Sequence, residues 1–243
     1  MKIISNPKKI ERNKKIGLYT SLGSLVALFA GAGMTMSSLF RSFDNPENID
    51  PTLTNYAFIA MAIGLVLSQI GVYFANRWGR TPTIDERISQ SLKGLDDRYS
   101  LYHYVTPVPH LLAGPSGLWV INAQYQQGTI VFENNRYRQR GVGLLNRFMG
   151  QEGVSRPDEE AKAYSADLEK MLKKELPDTE LPPIQPIVVF TNPKTTVQAA
   201  DAPVPTIHVE KLKDFVRRKT KETPASIAAL KAVKEVLPEE NVS

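Results

Sequence analysis

Side chains that could perform acid–base or metal chemistry are sparse in this sequence. The histidines stand in or beside segments that alternate like strands: His103, His110 and His208. The nearby acids stand at turns, where turn chemistry explains them without catalysis: Asp96, Asp97 and Glu133. The sequence contains no recognisable Ser/His/Asp arrangement, glycine-rich phosphate loop or metal-ligand spacing. We therefore interpret each histidine as a strand-surface or partly buried residue, and we expect no cofactor and no metal.

The composition narrows the chemistry further. The sequence has no cysteine, which excludes disulfides, thiolate metal sites and a cysteine nucleophile, and which suits a reducing compartment. The formal net charge of +5 is modest. Several basic residues stand beside hydrophobic segments, so contact with anionic lipid explains the basic balance as well as nucleic acid does.

An arginine strand is the clearest candidate for a charged surface. Arg136, Arg138 and Arg140 alternate with other residues, so in a strand they share one face. Such a face could contact phosphates of a nucleic acid, anionic lipid headgroups or solvent alone. We favour a solvated face or contact with anionic lipid headgroups, and we leave nucleic acid open as a partner.

The elements that would position these residues follow from periodicity. Thr83-Ile84-Asp85-Glu86 has the form of a capping box and predicts a helix from about 83 to 95. Further helices are predicted over 157–176, 210–221 and 224–236. Strands are predicted over 99–105, 107–113, 118–124, 129–133, 136–140, 187–190 and 206–209. This order predicts a mixed α/β sheet flanked by helices, with the domain over 83–221 and a C-terminal helix and tail over 222–243.

The central strands resemble a known family. Residues 111–121 read LLAGPSGLWVI and are followed by Gly128-Thr129-Ile130. This run is similar to the core of the NERD (nuclease-related) domain, and the flanks agree over about 83–220. The resemblance implies a restriction-endonuclease-like fold, in which an Asp on one strand and an acid and a lysine on the next hold a divalent metal and activate water.

The residues at those family positions are changed here. Pro109 stands at the Asp position, Asn122 at the acid position and Gln124 at the lysine position. Hard cations such as magnesium need anionic oxygen ligands, and none of these side chains supplies one. Glu86 on the first helix is retained, but a single carboxylate makes a poor metal site. We therefore expect a degenerate family member that is not an enzyme.

Two hydrophobic segments precede the domain. Residues 16–40 and 56–76 contain no charged residue, and each segment is long enough to cross a bilayer core of roughly 30 Å as a helix. The N-terminal 1–15 and the arginines after residue 76 are basic, whereas the loop 41–55 carries Asp44, Glu47 and Asp50. The positive-inside rule therefore predicts a two-pass cell-membrane protein with both termini in the cytoplasm and the loop outside.

Small residues on both segments suggest helix packing. Gly23, Ala27 and Gly31 repeat every four residues, and so do Ala60, Gly64 and Ser68. Gln69 is strongly polar within its span and needs a hydrogen-bond partner in the hairpin or in another subunit. Expected partners are the lipid bilayer and either another protein or further copies of the chain.

The sequence therefore predicts a membrane-anchored NERD-like protein without nuclease residues. Its expected role is a binding or membrane-complex assembly module on the cytoplasmic face. The alternative is a membrane-tethered, metal-dependent nuclease with a displaced active site.

Overall fold

The structure is a computed structural model that describes residues 1–44, 51–143 and 153–242. It divides into a helical unit, residues 11–81, and an α/β unit, residues 1–10 with 82–243. Positions 45–50 of the predicted external loop, which include Glu47 and Asp50, lie outside the described residues, as does the side chain of Asp44.

The helical unit is built from two long helices. Helix α1 spans Pro7–Asp44 and α2 spans Pro51–Phe74, followed by a π-helical turn, Ala75–Gly79. Pro7 suits the first position of α1, and the Asn6 Oδ1 accepts a hydrogen bond of 2.8 Å from the Lys9 N–H. Among the described residues, these two helices are long and apolar enough to span a membrane.

A seam of small residues joins the two helices. The residues it buries recur every seven positions, Gly17, Ser24 and Gly31 on α1 and Ala57, Gly64 and Gly71 on α2. A Cβ atom on Gly64 would lie 2.7 Å from the Leu28 Cγ, and one on Gly31 would lie 2.9 Å from the Ala57 carbonyl oxygen. The absence of these side chains therefore lets the two backbones approach each other.

The predicted four-residue stripe is only partly the packing surface. Gly31 and Gly64 lie on the seam, whereas Gly23, Ala27, Ala60 and Ser68 flank it and are half-buried. Long paired helices keep the same face together with a repeat close to 3.5 residues per turn, so every seventh residue returns to the seam. The Gln69 side chain is exposed on α2.

Within the described residues of the α/β unit, nine strands form two sheets. The larger has the order β1-β2-β3-β4-β7-β9 and the smaller the order β6-β5-β8. The strands are β1 Lys2–Ser5, β2 Ser100–His103, β3 His110–Gly114, β4 Gly117–Gln124, β5 Gly128–Glu133, β6 Arg136–Arg140, β7 Ile184–Phe190, β8 Thr195–Gln198 and β9 Thr206–His208. Strand β4 runs antiparallel to β3 and parallel to β7, so the large sheet is mixed as predicted.

Helices cover both faces of the large sheet. They are α3 Ile84–Ser91, α4 Pro157–Glu175, α5 Leu212–Glu222 and α6 Ile227–Val236, with a 3-10 turn, Val209–Lys211, before α5. Because alternate residues of a strand face opposite ways, Trp119 and Ile121 of β4 pack with α3 and α5, while Leu118 and Val120 pack with α4 and α6. This three-layer arrangement confirms the predicted α/β fold.

Strand β1 was not anticipated from the sequence, which assigned residues 1–15 to a basic N-terminal segment. It pairs in parallel with β2, from Lys2 opposite Ser100 to Ser5 opposite His103. The Ser5 N–H donates a hydrogen bond of 2.8 Å to the Asn241 Oδ1, and the Ser5 carbonyl oxygen accepts one of 3.1 Å from the Val242 N–H. The chain before α1 is therefore part of the same sheet as the domain that follows α2.

Turn geometry sets the ends of β2 and of the β5–β6 hairpin. Strand β2 ends at His103 rather than at 105 because Tyr104 adopts a φ of 61°, which a strand does not contain. The hairpin between β5 and β6 is closed by Asn134 and Asn135, with φ of 50° and 58°, as a two-residue turn requires. Strand β8, which pairs with β5, was missed because it has only four residues.

Candidate functional site

The residues at the family's acid and lysine positions lie at the end of β4. Asn122 and Gln124 are two residues apart, so their side chains lie on the same face of the strand. Both are buried, with 4% and 8% of their surface exposed. A buried amide needs hydrogen-bond partners, and α4 supplies them.

Glu160, in the first turns of α4, is the centre of this cluster. Its Oε2 accepts hydrogen bonds from the Asn122 Nδ2 at 2.9 Å and the Gln124 Nε2 at 3.3 Å. Its Oε1 accepts from the Tyr164 hydroxyl at 3.1 Å. The Asn122 Nδ2 also donates to the Pro157 carbonyl at 2.8 Å, and the Asn122 Oδ1 accepts from the Gln124 Nε2 at 3.1 Å. The cluster therefore engages the Glu160 carboxylate and the Asn122 amide from within.

This donor set does not fit the divalent metal that the fold family implies. Asn122 and Gln124 present N–H groups to Glu160, and the amide oxygen of Asn122 is taken by Gln124. Within the described residues, no group of three or more histidines and acids is placed to hold a metal ion. What the cluster can do is tie β4 to α4 through a carboxylate held by neutral donors.

The retained family acid serves the local structure of α3. The Glu86 Oε2 accepts a hydrogen bond of 2.8 Å from the Thr83 N–H, and the Thr83 Oγ1 accepts from the Glu86 N–H at 3.4 Å. This is the capping box that the sequence predicts, and it satisfies N–H groups that the helix leaves free. Glu86 is exposed and its capping oxygen is engaged.

Pro109 stands just before β3 and supplies a backbone contact. Pro109 and Asn122 each lie two residues beyond the last pair of the β3–β4 ladder, Leu111 with Val120. The Pro109 carbonyl accepts a hydrogen bond of 2.8 Å from the Tyr104 N–H, which closes the turn between β2 and β3. Its ring carries no ligand atom, so this position contributes conformation instead of chemistry.

Two of the histidines form a buried pair. His103 and His110 are cross-strand neighbours, 1% and 2% exposed, and their Nδ1 atoms lie 2.8 Å apart, so one donates to the other. The His103 Nε2 also bonds with the Ser89 hydroxyl at 2.9 Å. Burial lowers the pKa of His103 to about 4, and burial with the neighbouring ring lowers the pKa of His110 well below its usual value. The expectation that His103 and His110 are strand-surface or partly buried residues is wrong, because both rings lie inside the protein.

His208 is less buried than this pair, with 12% of its side chain exposed. Its Nε2 lies 3.1 Å from the Asn192 carbonyl oxygen and its Nδ1 lies 3.5 Å from the Glu210 Oε2. The described residues that surround it give it ordinary structural contacts.

The arginine strand has the predicted geometry but a reduced charge. Arg136, Arg138 and Arg140 are exposed on one face of β6. Arg140 lies 2.8 Å from the Glu133 carboxylate and Arg138 lies 3.6 Å from it. Arg136 lines a cleft of about 210 Å³, whose other charged residues are Arg156, Asp158, Glu159 and Lys162. Each basic residue therefore has acids close by, and the surface is of mixed charge.

Glu160 is the site residue that sequence reasoning missed. It stands four residues before Tyr164 and eight before Leu168, which the sequence places on the sheet-facing stripe of the helix. Extending that stripe by one turn would have pointed Glu160 at the sheet. The pattern could not show which strand faces it.

Comparison with known families gives one match. Residues 85–191 match the family model described as nuclease-related domain, NERD. No curated protein and no solved structure matches the chain. The matched range contains Glu86, Pro109, Asn122, Gln124 and Glu160, and it confirms the resemblance drawn from the central strands.

Proposed function

Since residues 85–191 form a nuclease-related domain, we propose that this chain is a non-catalytic member of the NERD family. Helices α1 and α2 anchor it in the cell membrane with the α/β unit on the cytoplasmic face. There it serves as a binding or assembly module of a membrane complex.

The observation that carries the loss of catalysis is the Glu160 cluster. Where the family places an acid and a lysine, two neutral amides hold the carboxylate of a helix residue at 2.9 and 3.3 Å. Neutral amides neither attract a hard cation nor position a water for attack. The polar groups at this point stabilise the junction of β4 and α4.

Membrane attachment is supported by where the apolar side chains lie. Large side chains on α1 stay exposed, including Val26 at 70%, Phe29 at 74% and Phe43 at 76%, and Phe58 on α2 is 63% exposed. The core helix of a water-soluble protein buries such residues, because exposed apolar surface in water is unfavourable. A signal sequence would account for α1 alone.

The topology is supported by β1. Residues 2–5 precede both helices, and they pair with β2, which follows both helices. Two crossings return the chain to the side on which it began, so this pairing suits a two-pass anchor. The lysines before residue 16 and the arginines after residue 76 favour the cytoplasm for that side.

A nuclease assay on the full chain tests the absence of catalysis. We expect the detergent-purified protein to leave single- and double-stranded DNA and RNA uncut in the presence of magnesium or manganese. Metal-dependent cleavage by the parent, lost in Glu160→Gln but kept in the matched variant Glu159→Gln, would establish the displaced active site instead. Cleavage that persists in both variants would come from an active site without Glu160 or from a contaminating enzyme.

Cysteine labelling tests the topology, because the chain has no native cysteine. Single variants Lys8→Cys, Thr52→Cys and Glu239→Cys place a thiol at the start of α1, at the start of α2 and in the C-terminal tail. An impermeant maleimide should label only Thr52→Cys in intact cells, and all three after permeabilisation. Labelling of Glu239→Cys in intact cells would overturn the cytoplasmic placement.

A further inference from the structure

The polar residue Gln69 lies on the side of α2 that faces away from α1. The seam buries Ala57, Gly64 and Gly71, and Gln69 is exposed. At 3.6 residues per turn, Gln69 stands about 140° around the helix from Gly64. The seam between the two helices therefore cannot provide a partner for its amide.

The depth of Gln69 matters because of its neighbours. The Arg77 guanidinium stacks on the Tyr73 ring at 3.8 Å from its centre, a pairing suited to the membrane–water interface. Gln69 lies one turn before Tyr73, about 6 Å further into the span. Helical side chains lean toward the helix N-terminus, which directs Gln69 toward the bilayer centre and away from that interface.

The amide of Gln69 has no hydrogen-bond partner among the described residues. Hydrocarbon offers none either, so an exposed amide at this depth is unfavourable unless another polypeptide reaches it. Resting on the proposed membrane insertion, we propose that α2 of two copies pair in parallel and that the two Gln69 amides bond to each other.

The residues around Gln69 form a seam suited to such a pair. They are spaced alternately four and three positions apart, and all are exposed: Asn55, Ile59, Ala62, Val66, Gln69 and Tyr73. This 3.5-residue average is the repeat with which two parallel helices keep one face together. Ala62, two turns before Gln69, is small enough for the helices to come close.

A second copy fits this surface because of symmetry and chemistry. A carboxamide both donates and accepts, so two of them related by a twofold axis satisfy each other. Two copies with the same topology hold Gln69 at the same depth, as an interhelical hydrogen bond requires.

Disulfide cross-linking in native membranes tests the pair with the full, otherwise cysteine-free chain. Ala62→Cys stands on the proposed seam, and the adjacent Ile63→Cys stands at the same depth on another face. Mild oxidation should convert Ala62→Cys mainly into a disulfide-linked dimer and leave Ile63→Cys monomeric. Adding Gln69→Leu to Ala62→Cys should weaken association by roughly tenfold, whereas Gln69→Asn, which keeps an amide, should retain the dimer.

Three outcomes overturn the pairing: equal cross-linking at positions 62 and 63, a dimer indifferent to Gln69→Leu, or cross-linking of Ala62→Cys to a different protein in place of itself. Extraction of the same membranes with alkaline carbonate separates the two proposals. A chain that resists extraction but stays monomeric refutes the pairing alone. A chain released by carbonate refutes the anchor itself.

Discussion

The helical unit and the α/β unit bury opposite kinds of residue. The seam between α1 and α2 buries glycine, alanine and serine and leaves Phe29 and Phe58 exposed. The large sheet buries its bulky side chains, with Trp119 at 1% and Phe190 at 0% exposure. One chain therefore uses two packing rules.

The proposed membrane anchor accounts for this difference, because it places the two units in different solvents. In water, removal of large apolar side chains from solvent drives folding, so the sheet buries them. In lipid the surroundings are as apolar as the side chains, and close backbone approach matters more. The following predictions test this contrast, from the largest expected effect to the smallest.

Loss of a bulky core residue should destabilise the α/β unit and leave the two long helices, α1 and α2, unaffected. The Trp119 ring packs edge-on to Phe215 at 5.1 Å between centres, and its Nε1 donates to the Ser116 Oγ at 2.9 Å. Trp119→Ala should cost about 3–5 kcal/mol of stability. Hydrogen exchange should accelerate in β3 and β4 and stay unchanged in α1 and α2. Ile227→Ala is the control, because this side chain is 86% exposed, and it should change neither the stability nor the hydrogen exchange.

Acid should also weaken the α/β unit selectively, through the histidine pair. The folded state keeps His103 neutral with its pKa near 4, whereas the unfolded chain takes up a proton near pH 6.5. This contribution to stability is complete above pH 6.5 and falls as the pH drops toward 4, by about 3 kcal/mol. Urea unfolding at several pH values measures how steeply the free energy of unfolding changes with pH.

The double variant His103→Asn, His110→Asn is the reference for this pH dependence of stability, because a pair of amides does not titrate in this range. Its stability should be nearly constant between pH 6.5 and 4.5. A slope as steep as in the parent would assign the acid sensitivity to other groups.

Enlarging a seam glycine should separate the two helices without unfolding the domain. A Cβ on Gly64 would approach the Leu28 backbone nitrogen to 3.0 Å, whereas one on Gly33 has nothing within 4 Å. Gly64→Leu should destabilise the packed hairpin by about 1–3 kcal/mol, and Gly33→Leu should not. Spin labels on Phe29→Cys and Ile59→Cys would report a longer, broader distance. An unchanged distance in Gly64→Leu would contradict the seam.

The smallest expected effect is at the Glu160 cluster. Glu160→Gln turns one acceptor into an N–H group that faces a donor, either the two amides or the Tyr164 hydroxyl. We expect a loss of about 1–2 kcal/mol in urea unfolding. Glu159 forms an exposed ion pair with Lys162, with 3.5 Å between the Oε1 and Nζ atoms. The control variant Glu159→Gln should therefore have almost no effect on stability. Equal effects would show that the cluster does not stabilise the fold.

The amino-acid sequence by itself determined the elements with strong local signals. The capping box at Thr83, the arginine strand at 136–140 and the long apolar helices each follow from periodicity or from one turn of chain. The sequence also determined the mixed α/β order and showed that Asn122 and Gln124 replace the charged residues of the family.

Tertiary structure decided what depends on distant residues. Strand β1 has a single buried side chain, Ile4, and forms because β2, about a hundred residues later, offers its edge. The histidine pair, the seven-residue seam and the contact of Glu160 with Asn122 join elements whose register no local pattern specifies. Local preferences fix which segments become helices or strands, whereas the partners of each buried polar group are fixed only when the layers pack.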